Sequence, residues 1–274
     1  MTLSSNEQDA VPAIRARNVN KRFGTQVVLR NVDLEIGQGQ LVCLLGASGC
    51  GKSTVLRLLA GLEKPDGGSA ASGPDPLVEL RSIQAIPNKS PRIGFVFQQA
   101  NLLPWRSVNE NVGLPLRLQG ASAEVRGSEI ERSLREVGLS PSDGAKWPRM
   151  LSGGMQMRAS LARALVTRPE IMLLDEPFSA LDEVLRQRLG EELRQWHQQF
   201  GWTTVFVTHH VSEAVFLADR ILMFRGLQPN GSEDSLAEDL PIQFAQQRTA
   251  ELREQRHYVE EVIRVTKRFR ELQR

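Results

Sequence analysis

The chain of 274 residues carries 34 lysines and arginines against 32 aspartates and glutamates, a formal net charge of +2, with 41% hydrophobic and 24% charged residues. That balance supports a globular protein with a large buried core and excludes a nucleic-acid footprint spread over the whole molecule, which needs a basic excess. A membrane-spanning helix takes roughly 18 or more apolar residues, and the longest comparable run is Leu41 to Ala47, so the chain is expected to stay out of the bilayer.

Residues 1–11 read as a flexible polar tail, with no basic start and apolar core of the kind that marks a secretory leader. Alternating segments at Ala13 to Val19 and Val27 to Ile36, separated by a turn at Lys21-Arg22-Phe23-Gly24, predict two antiparallel strands. Leu41 to Leu45 is continuously apolar, as in a strand buried on both faces, and Ser53 to Leu62 has helical spacing. Cys43 in that strand and Cys50 in the glycine loop after it are only seven apart, so neither a disulfide framework nor a zinc site is expected and a reducing cytoplasm fits. Gly67 to Pro91 is rich in Gly, Ser, Ala and Pro, with a strand or helix around Leu77 to Ile86 that the sequence does not decide. Ile93 to Phe97 reads as another buried strand. Helices follow over Val108 to Leu118 and Ser122 to Val137, the second stopped by Gly138, and a further helix starts at Ser152 and runs to about Val166. Ile171 to Leu174 is a strand ending in Asp175, Leu185 to Phe200 an amphipathic helix, and Thr203 to Thr208 a β-branched and aromatic strand. Helix and strand alternate on both sides of a helical insertion, which predicts a mainly parallel α/β core. At the end, Tyr258, Val262, Val265, Phe269 and Leu272, at spacings of 4, 3, 4 and 3, form one stripe on a helix over Glu251 to Arg274. Packing against its own domain is the leading expectation for this stripe. Partner docking is the alternative, and Lys267, Arg268 and Arg270 also permit contact with a membrane surface.

The chemistry begins at Gly46-Ala47-Ser48-Gly49-Cys50-Gly51-Lys52-Ser53, which fits GxxxxGK[ST] between a buried strand and a helix that continues with Thr54. Glycines admit positive φ and let backbone N–H groups converge on phosphate oxygens, and the helix N-terminus adds positive partial charge. Lys52 would reach the β and γ phosphates and Ser53 would ligate Mg²⁺. Kinases, GTPases, helicases and transport ATPases all share such a loop. A second constellation lies at Ile171-Met172-Leu173-Leu174-Asp175-Glu176, where a strand holds Asp175 near the metal and sets Glu176 beside a nucleophilic water. A base so placed is worth ~10²–10⁴ in rate.

Leu151-Ser152-Gly153-Gly154-Met155 at a helix start discriminates among these classes, because here the chain resembles the ATP-binding cassette family with its LSGGQ signature. A serine hydroxyl and two glycine amides at a helix N-terminus make a second anion site. The resemblance implies that each such site closes on the other subunit's nucleotide in a head-to-tail dimer. It further implies that Gln98 is the Q-loop glutamine that senses Mg²⁺ and the attacking water, and that Ser179-Ala180-Leu181-Asp182 is the D-loop at the dimer interface. His209 is then the switch histidine, Phe23 the aromatic that stacks on adenine, and Val28 packs on the same ring. Two departures stand out. Met155 replaces the signature glutamine, and His210 stands where relatives often carry an acid.

The resemblance covers Ala13 to Arg225. It implies a P-loop nucleotide hydrolase fold of the cassette type, with a mainly parallel core sheet, an N-terminal antiparallel β subdomain and a helical signature subdomain. The corresponding domains are a cassette over 12–232, its helical part over 98–165, and a C-terminal helical extension over 233–274. The segment Gln99 to Met150 is too short for the coiled coil of chromosome-maintenance members, and translation members carry two cassettes where this chain has one. A single cassette resembles the separate ATPase subunit of bacterial importers. Asn101-Leu102-Leu103-Pro104-Trp105 with Val108 to Val112, and Glu213 to Arg220, resemble the nitrate, sulfonate and taurine branch. The implied cofactors are ATP and Mg²⁺. The implied partners are a second copy, transmembrane permease subunits and, through them, a solute-binding protein, with the chain at the cytoplasmic face of the membrane and no nucleic acid. Lipid, bicarbonate and thiamine-precursor systems are the alternatives, and a non-transport cassette the remoter one.

Overall fold

Two sheets and a helical insertion organise the chain, seen here in a computed structural model that describes residues 12–66, 78–80, 90–227, 231–245 and 248–273. The expectation of a flexible tail over 1–11 lies outside these residues, as does most of the undecided segment after Gly67. Strands β1 (Ile14–Phe23) and β2 (Gln26–Ile36) pair antiparallel from Ile14↔Ile36 to Phe23↔Gln26. Lys21, Arg22 and Phe23 therefore belong to the strand, not to the turn expected from their polarity. The reversal is confined to Gly24, at φ +60°, and Thr25. After β3 (Leu41–Gly46), α1 (Lys52–Leu59) ends three residues before Leu62, because Gly61 enters the left-handed region at φ +69° and Leu62 N–H turns back to the Arg57 carbonyl. Strand β4 (Val78–Leu80) pairs with β1 and completes a three-stranded antiparallel sheet in the order β2-β1-β4.

Strand β5 (Ile93–Val96) leads into the helical insertion. The single helix expected over Val108 to Leu118 is two, α2 (Val108–Val112) and α3 (Leu114–Leu118). Pro115 cannot donate a backbone hydrogen bond and so starts a helix instead of continuing one, and a Cβ on Gly113 would lie 2.6 Å from Ile130 Cδ1. Ser107 and Glu110 form a capping box at α2, and Ser122 caps α4 (Ala123–Glu136). A short α5 (Pro141–Gly144) and α6 (Gly153–Leu165) close the insertion, with Ser152 capping α6. Then β6 (Ile171–Asp175), α7 (Glu183–Phe200), β7 (Thr203–Thr208), α8 (Val211–Leu217) and β8 (Arg220–Phe224) alternate as parallel crossovers require.

The central sheet runs β5-β6-β7-β3-β8, parallel throughout, with one further strand from the C-terminal stretch beyond β8. Its strands bury both faces: Leu41, Cys43 and Leu45 of β3 face one apolar cluster with α6, α7 and α8, whereas Val42 and Leu44 face another with α1 and the antiparallel sheet. The expected α/β class is thus the observed one.

The C-terminal stretch needs a correction. Residues 233–274 are not helical throughout, since β9 (Leu236–Pro241) pairs antiparallel with β8 and forms the sheet's edge. Glu238, Asp239 and Pro241 have the polarity of a loop, and an edge strand with one solvated side tolerates them. A 3-10 turn at Ala250–Glu254 and α9 (Arg256–Leu272) follow. The α9 stripe packs inward: Tyr258 and Val265 are buried, with Val262, Phe269 and Leu272 against the same core. Tyr258 donates from its hydroxyl to the Ser212 carbonyl at 2.9 Å.

Arg248 ties this segment to α8. Its guanidinium is buried and donates from Nη1 to the carbonyls of Val215, Phe216 and Ala218 at 3.2, 2.8 and 2.9 Å. Burial pulls its pKa down to about 10, which leaves it charged at neutral pH. Removal would strand three carbonyls at the end of α8. Arg248→Ala is therefore expected to lower stability by ~2–4 kcal/mol, read as a drop in the denaturation midpoint at unchanged slope.

Candidate functional site

The carboxyl ends of β3, β6 and β7 lie side by side in the central sheet, and each continues into a segment singled out above. Ligands of open α/β sheets bind at this edge. After β3 the loop turns through Gly49 at φ +82° and Gly51 at φ +98°. A Cβ on Gly51 would stand 2.5 Å from Leu29 Cδ2 and 2.9 Å from the Val28 carbonyl oxygen, so the loop is pressed against β2. Gly51 caps α1 without a side chain, which leaves the first N–H groups of the helix for an anion. Lys52 is buried, and its Nζ donates to the Gly46 and Ala47 carbonyls at 2.8 and 2.9 Å while standing 3.8 Å from Glu176 Oε1.

Ser53 Oγ donates to Asp175 Oδ1 at 2.7 Å. Burial raises the Asp175 pKa, opposed by that hydrogen bond. Glu176 sits at φ +44°, an uncommon conformation for a side-chain-bearing residue, with its N–H on the Val207 carbonyl at 3.1 Å. Its carboxylate collects three elements. Lys52 approaches Oε1, His209 Nδ1 lies 3.1 Å from Oε2, and Gln98 Nε2 donates to Oε2 at 3.4 Å. Gln98 Nε2 also reaches Ser179 Oγ at 3.3 Å, and Ser179 Oγ donates to the Glu176 carbonyl at 2.9 Å. Gly46 to Ser53, Asp175, Glu176, Gln98 and His209 thus form one connected site.

Other candidates stand apart from it. Ser152 accepts from Met155 N–H at 3.3 Å as the cap of α6. A Cβ on Gly154 would meet Leu185 Cδ2 at 2.8 Å, so that glycine lets α6 approach α7, whereas a Cβ on Gly153 would find only Leu181 at 3.7 Å. Met155 packs partly buried on the core, and Gln156, one place later, makes the polar contacts, to the Pro148 and Leu151 carbonyls at 3.1 and 3.3 Å. Asp182 caps α7 by accepting from Leu185 N–H at 2.9 Å. Phe23 is 46% exposed with Lys21 Nζ 5.1 Å from its ring centre, and Val28 is half-buried.

Sequence reasoning missed the role of Ser179 within its tetrapeptide, as well as a pair behind the histidine. Thr208 Oγ1 donates to Glu213 Oε2, and His210 N–H donates to Thr208 Oγ1 at 3.0 Å. Burial pushes the Glu213 pKa up to about 7, against the lowering effect of Thr208. Nothing local in the sequence marks this contact, since a glutamate in the first turn of a helix is ordinarily a solvated partner of the dipole.

Among known proteins, the family described as ABC transporter matches residues 29–179. The aliphatic sulfonates import ATP-binding protein SsuB 3 of Pseudomonas savastanoi pv. phaseolicola is 46% identical over 213 residues, 77% of this chain and 72% of that protein. Its counterpart SsuB of Escherichia coli K12 is 44% identical over 205 residues, 75% and 74% of the two chains. The solved dimeric bacterial cassette MJ0796 superposes with a TM-score of 0.67 at 31% identity, covering 85% of this chain and 100% of that one. The same cassette, solved as a dimer in a post-hydrolysis state with ADP and Pi, gives the same values.

Two outcomes test the site's construction. Gly51→Ala is expected to cost ~2 kcal/mol or more in stability and to abolish nucleotide binding, measured by denaturation and by titration with a fluorescent nucleotide. The folded protein holds the Glu213 proton more tightly than an unfolded glutamate, whose ordinary value is 4.5. Stability tied to this group is therefore present below that value and lost as pH rises through about 7. Glu213→Gln should remove that loss, up to ~3 kcal/mol, when unfolding is compared at acid and mildly alkaline pH.

Proposed function

The chain belongs to the ABC transporter family, and from that premise we propose that it is the ATP-binding and ATP-hydrolysing subunit of an importer for an aliphatic sulfonate or a related small anion. One observation carries the catalytic part. Lys52, Gln98 and His209, from three separate elements, converge on the Glu176 carboxylate at the carboxyl edge of a parallel sheet. The sulfonate assignment is supported by the relatives' named role, since nothing in the site itself touches a transported solute.

The nucleotide's phosphates lie on the N–H groups of Gly46 to Ser53 and the start of α1, with Thr54 continuing that turn, and Lys52 balances the β and γ charges. The Phe23 ring, held at the end of β1, takes the adenine, with Val28 beside it. A magnesium ion suits the oxygen donors Ser53 and Asp175, already 2.7 Å apart, and Gln98, bonded to the Glu176 carboxylate, is the third residue that would hold it. The shell of such an ion is completed by phosphate oxygens and water. When bound, that ion neutralises charge developing on the phosphate oxygens. Glu176 takes the proton of the attacking water. His209 holds the Glu176 carboxylate in place from one side and Gln98 from the other. Most of the acceleration is positioning and electrostatics, because phosphoryl transfer leaves little covalent work for the protein.

Ser152, Gly153, Gly154 and Asp182 complete a site in trans: two copies close head to tail, each signature helix aiming its N-terminus at the other's γ-phosphate. The dimeric state of the MJ0796 cassette supports this arrangement. No helix among the described residues is long and apolar enough to cross a membrane. The dimer engages permease subunits at the cytoplasmic face and a solute-binding protein delivers the cargo from the other side, a reading supported by the relatives' named role in import. Glu176→Gln is expected to retain ATP binding, to lose ~10²–10⁴ in kcat, and to accumulate an ATP-dependent dimer on size-exclusion chromatography. Turnover near that of the parent chain would remove Glu176 from the role of base.

A further inference from the structure

The corner between β7 and α8 carries His209, and its shape depends on a short relay buried behind the histidine. His210 N–H donates to Thr208 Oγ1 at 3.0 Å, and Thr208 Oγ1 donates in turn to Glu213 Oε2. A threonine hydroxyl has one proton, so the bond to Glu213 decides which way the rotor points and frees a lone pair for the backbone N–H of the residue after His209. The other carboxyl oxygen, Glu213 Oε1, is buried with no hydrogen-bond partner. An unsatisfied buried carboxyl oxygen is costly, and an apolar side chain of the same size would avoid the cost. The surroundings make the carboxyl hard to release. Glu213 lines a cavity of about 260 Å³ with Glu183 and Arg186 of α7, Arg253 of the 3-10 turn and Tyr258 of α9. Arg186 is engaged by Glu183 and by the Leu181 carbonyl, and Arg253 by Glu191 and by the face of Phe216 at 3.6 Å. Both arginines are thus taken up by partners other than Glu213. With Tyr258 anchored on the Ser212 carbonyl, the C-terminal segment holds the first turn of α8, and Glu213 with it, against α7.

We propose that Glu213 is a positioning residue for the switch histidine: acting through the Thr208 hydroxyl, it fixes the β7–α8 corner and so sets the His209 Nδ1 to Glu176 Oε2 contact of 3.1 Å. The proposal rests on the ATPase reading for its catalytic consequence, but its structural core, that Glu213 governs where the His209 ring sits, does not. It also accounts for a polar group kept at a site that packing alone would give to a hydrophobe.

The test uses the full chain with four variants. Glu213→Met keeps the volume and removes the acceptor, Thr208→Val removes the hydroxyl, Glu213→Gln retains an acceptor oxygen, and the fourth joins Glu213→Met to Thr208→Val. Glu213→Met and Thr208→Val should each lower kcat by ~10–100-fold with KM for ATP within about twofold, since misplacement by a fraction of an ångström acts on the chemical step. The double variant should be no worse than Thr208→Val alone, because one residue works through the other. Glu213→Gln should recover kcat to within about threefold of the parent. Independently of turnover, the ring Cε1–H resonance of His209, assigned by its loss in His209→Ala, should move in Glu213→Met and Thr208→Val and stay in place in Glu213→Gln. Additive losses in the double variant, or a His209 resonance unmoved by Glu213→Met, would overturn the proposal. A parent chain without ATPase activity would count against the ATPase reading alone, and the resonance would then decide the role of Glu213.

Discussion

Strand β3 is paired in parallel on both sides, with β7 from Leu41↔Thr204 to Leu45↔Thr208 and with β8 from Val42↔Arg220 to Gly46↔Phe224, and the rest of the site depends on that register. Because β6 pairs with β7 in turn, Asp175 is brought opposite Val207. The phosphate loop, the acidic pair and the histidine corner are thereby delivered to one edge of a sheet buried on both faces. A slip of one residue in any of these pairings would turn a strand's side chains to the opposite face and carry its terminal residue away from the site. The apolar residues that hold the register, such as Leu44, Leu173 and Val205, have no chemistry of their own and are fully buried.

On that frame, the site concentrates charge without leaving it uncompensated. Lys52 is almost wholly buried, yet its ammonium donates to two loop carbonyls and to Cys50 Sγ, with Glu176 at ion-pair distance. Asp175, whose pKa burial raises, is held by the Ser53 hydroxyl. A ligand bearing negative charge can replace the carbonyls as partner of Lys52 with little movement, which is the preorganisation that phosphoryl transfer requires. Glu176 keeps a left-handed backbone at φ +44°, a conformation that side-chain-bearing residues hold only where the surroundings impose it.

The C-terminal segment extends this argument away from the phosphates. Arg248, Arg253 and Tyr258 all bear on α8, the helix that begins just after the histidines. Strand β9 gives the same segment a place in the central sheet. The C-terminal extension therefore braces the element whose first turn contains Glu213, and a change at the C-terminal end has a physical route to His209 through packed side chains.

The motifs of the candidate site and most of the architecture were legible along the chain. GxxxxGK[ST] after a buried strand, four apolar residues before Asp175-Glu176, and a serine and two glycines opening a helix are local patterns whose backbone requirements leave few alternatives. The parallel core was legible because continuous apolar runs alternated with helical spacing. Where the first hairpin turns became clear from the fold, since the strand pairing overrode the polarity of Lys21 and Arg22, as did the edge strand formed by acidic residues near 238, since an edge tolerates them. The same holds for the hydrogen bonds that Gln98, Ser179, Glu176 and His209 share, and for the burial of Glu213 behind Thr208. Those contacts join residues distant along the chain or pointing inward from a first helical turn. Periodicity and propensity report only on neighbours, so such contacts exist only once the sheet has set the register.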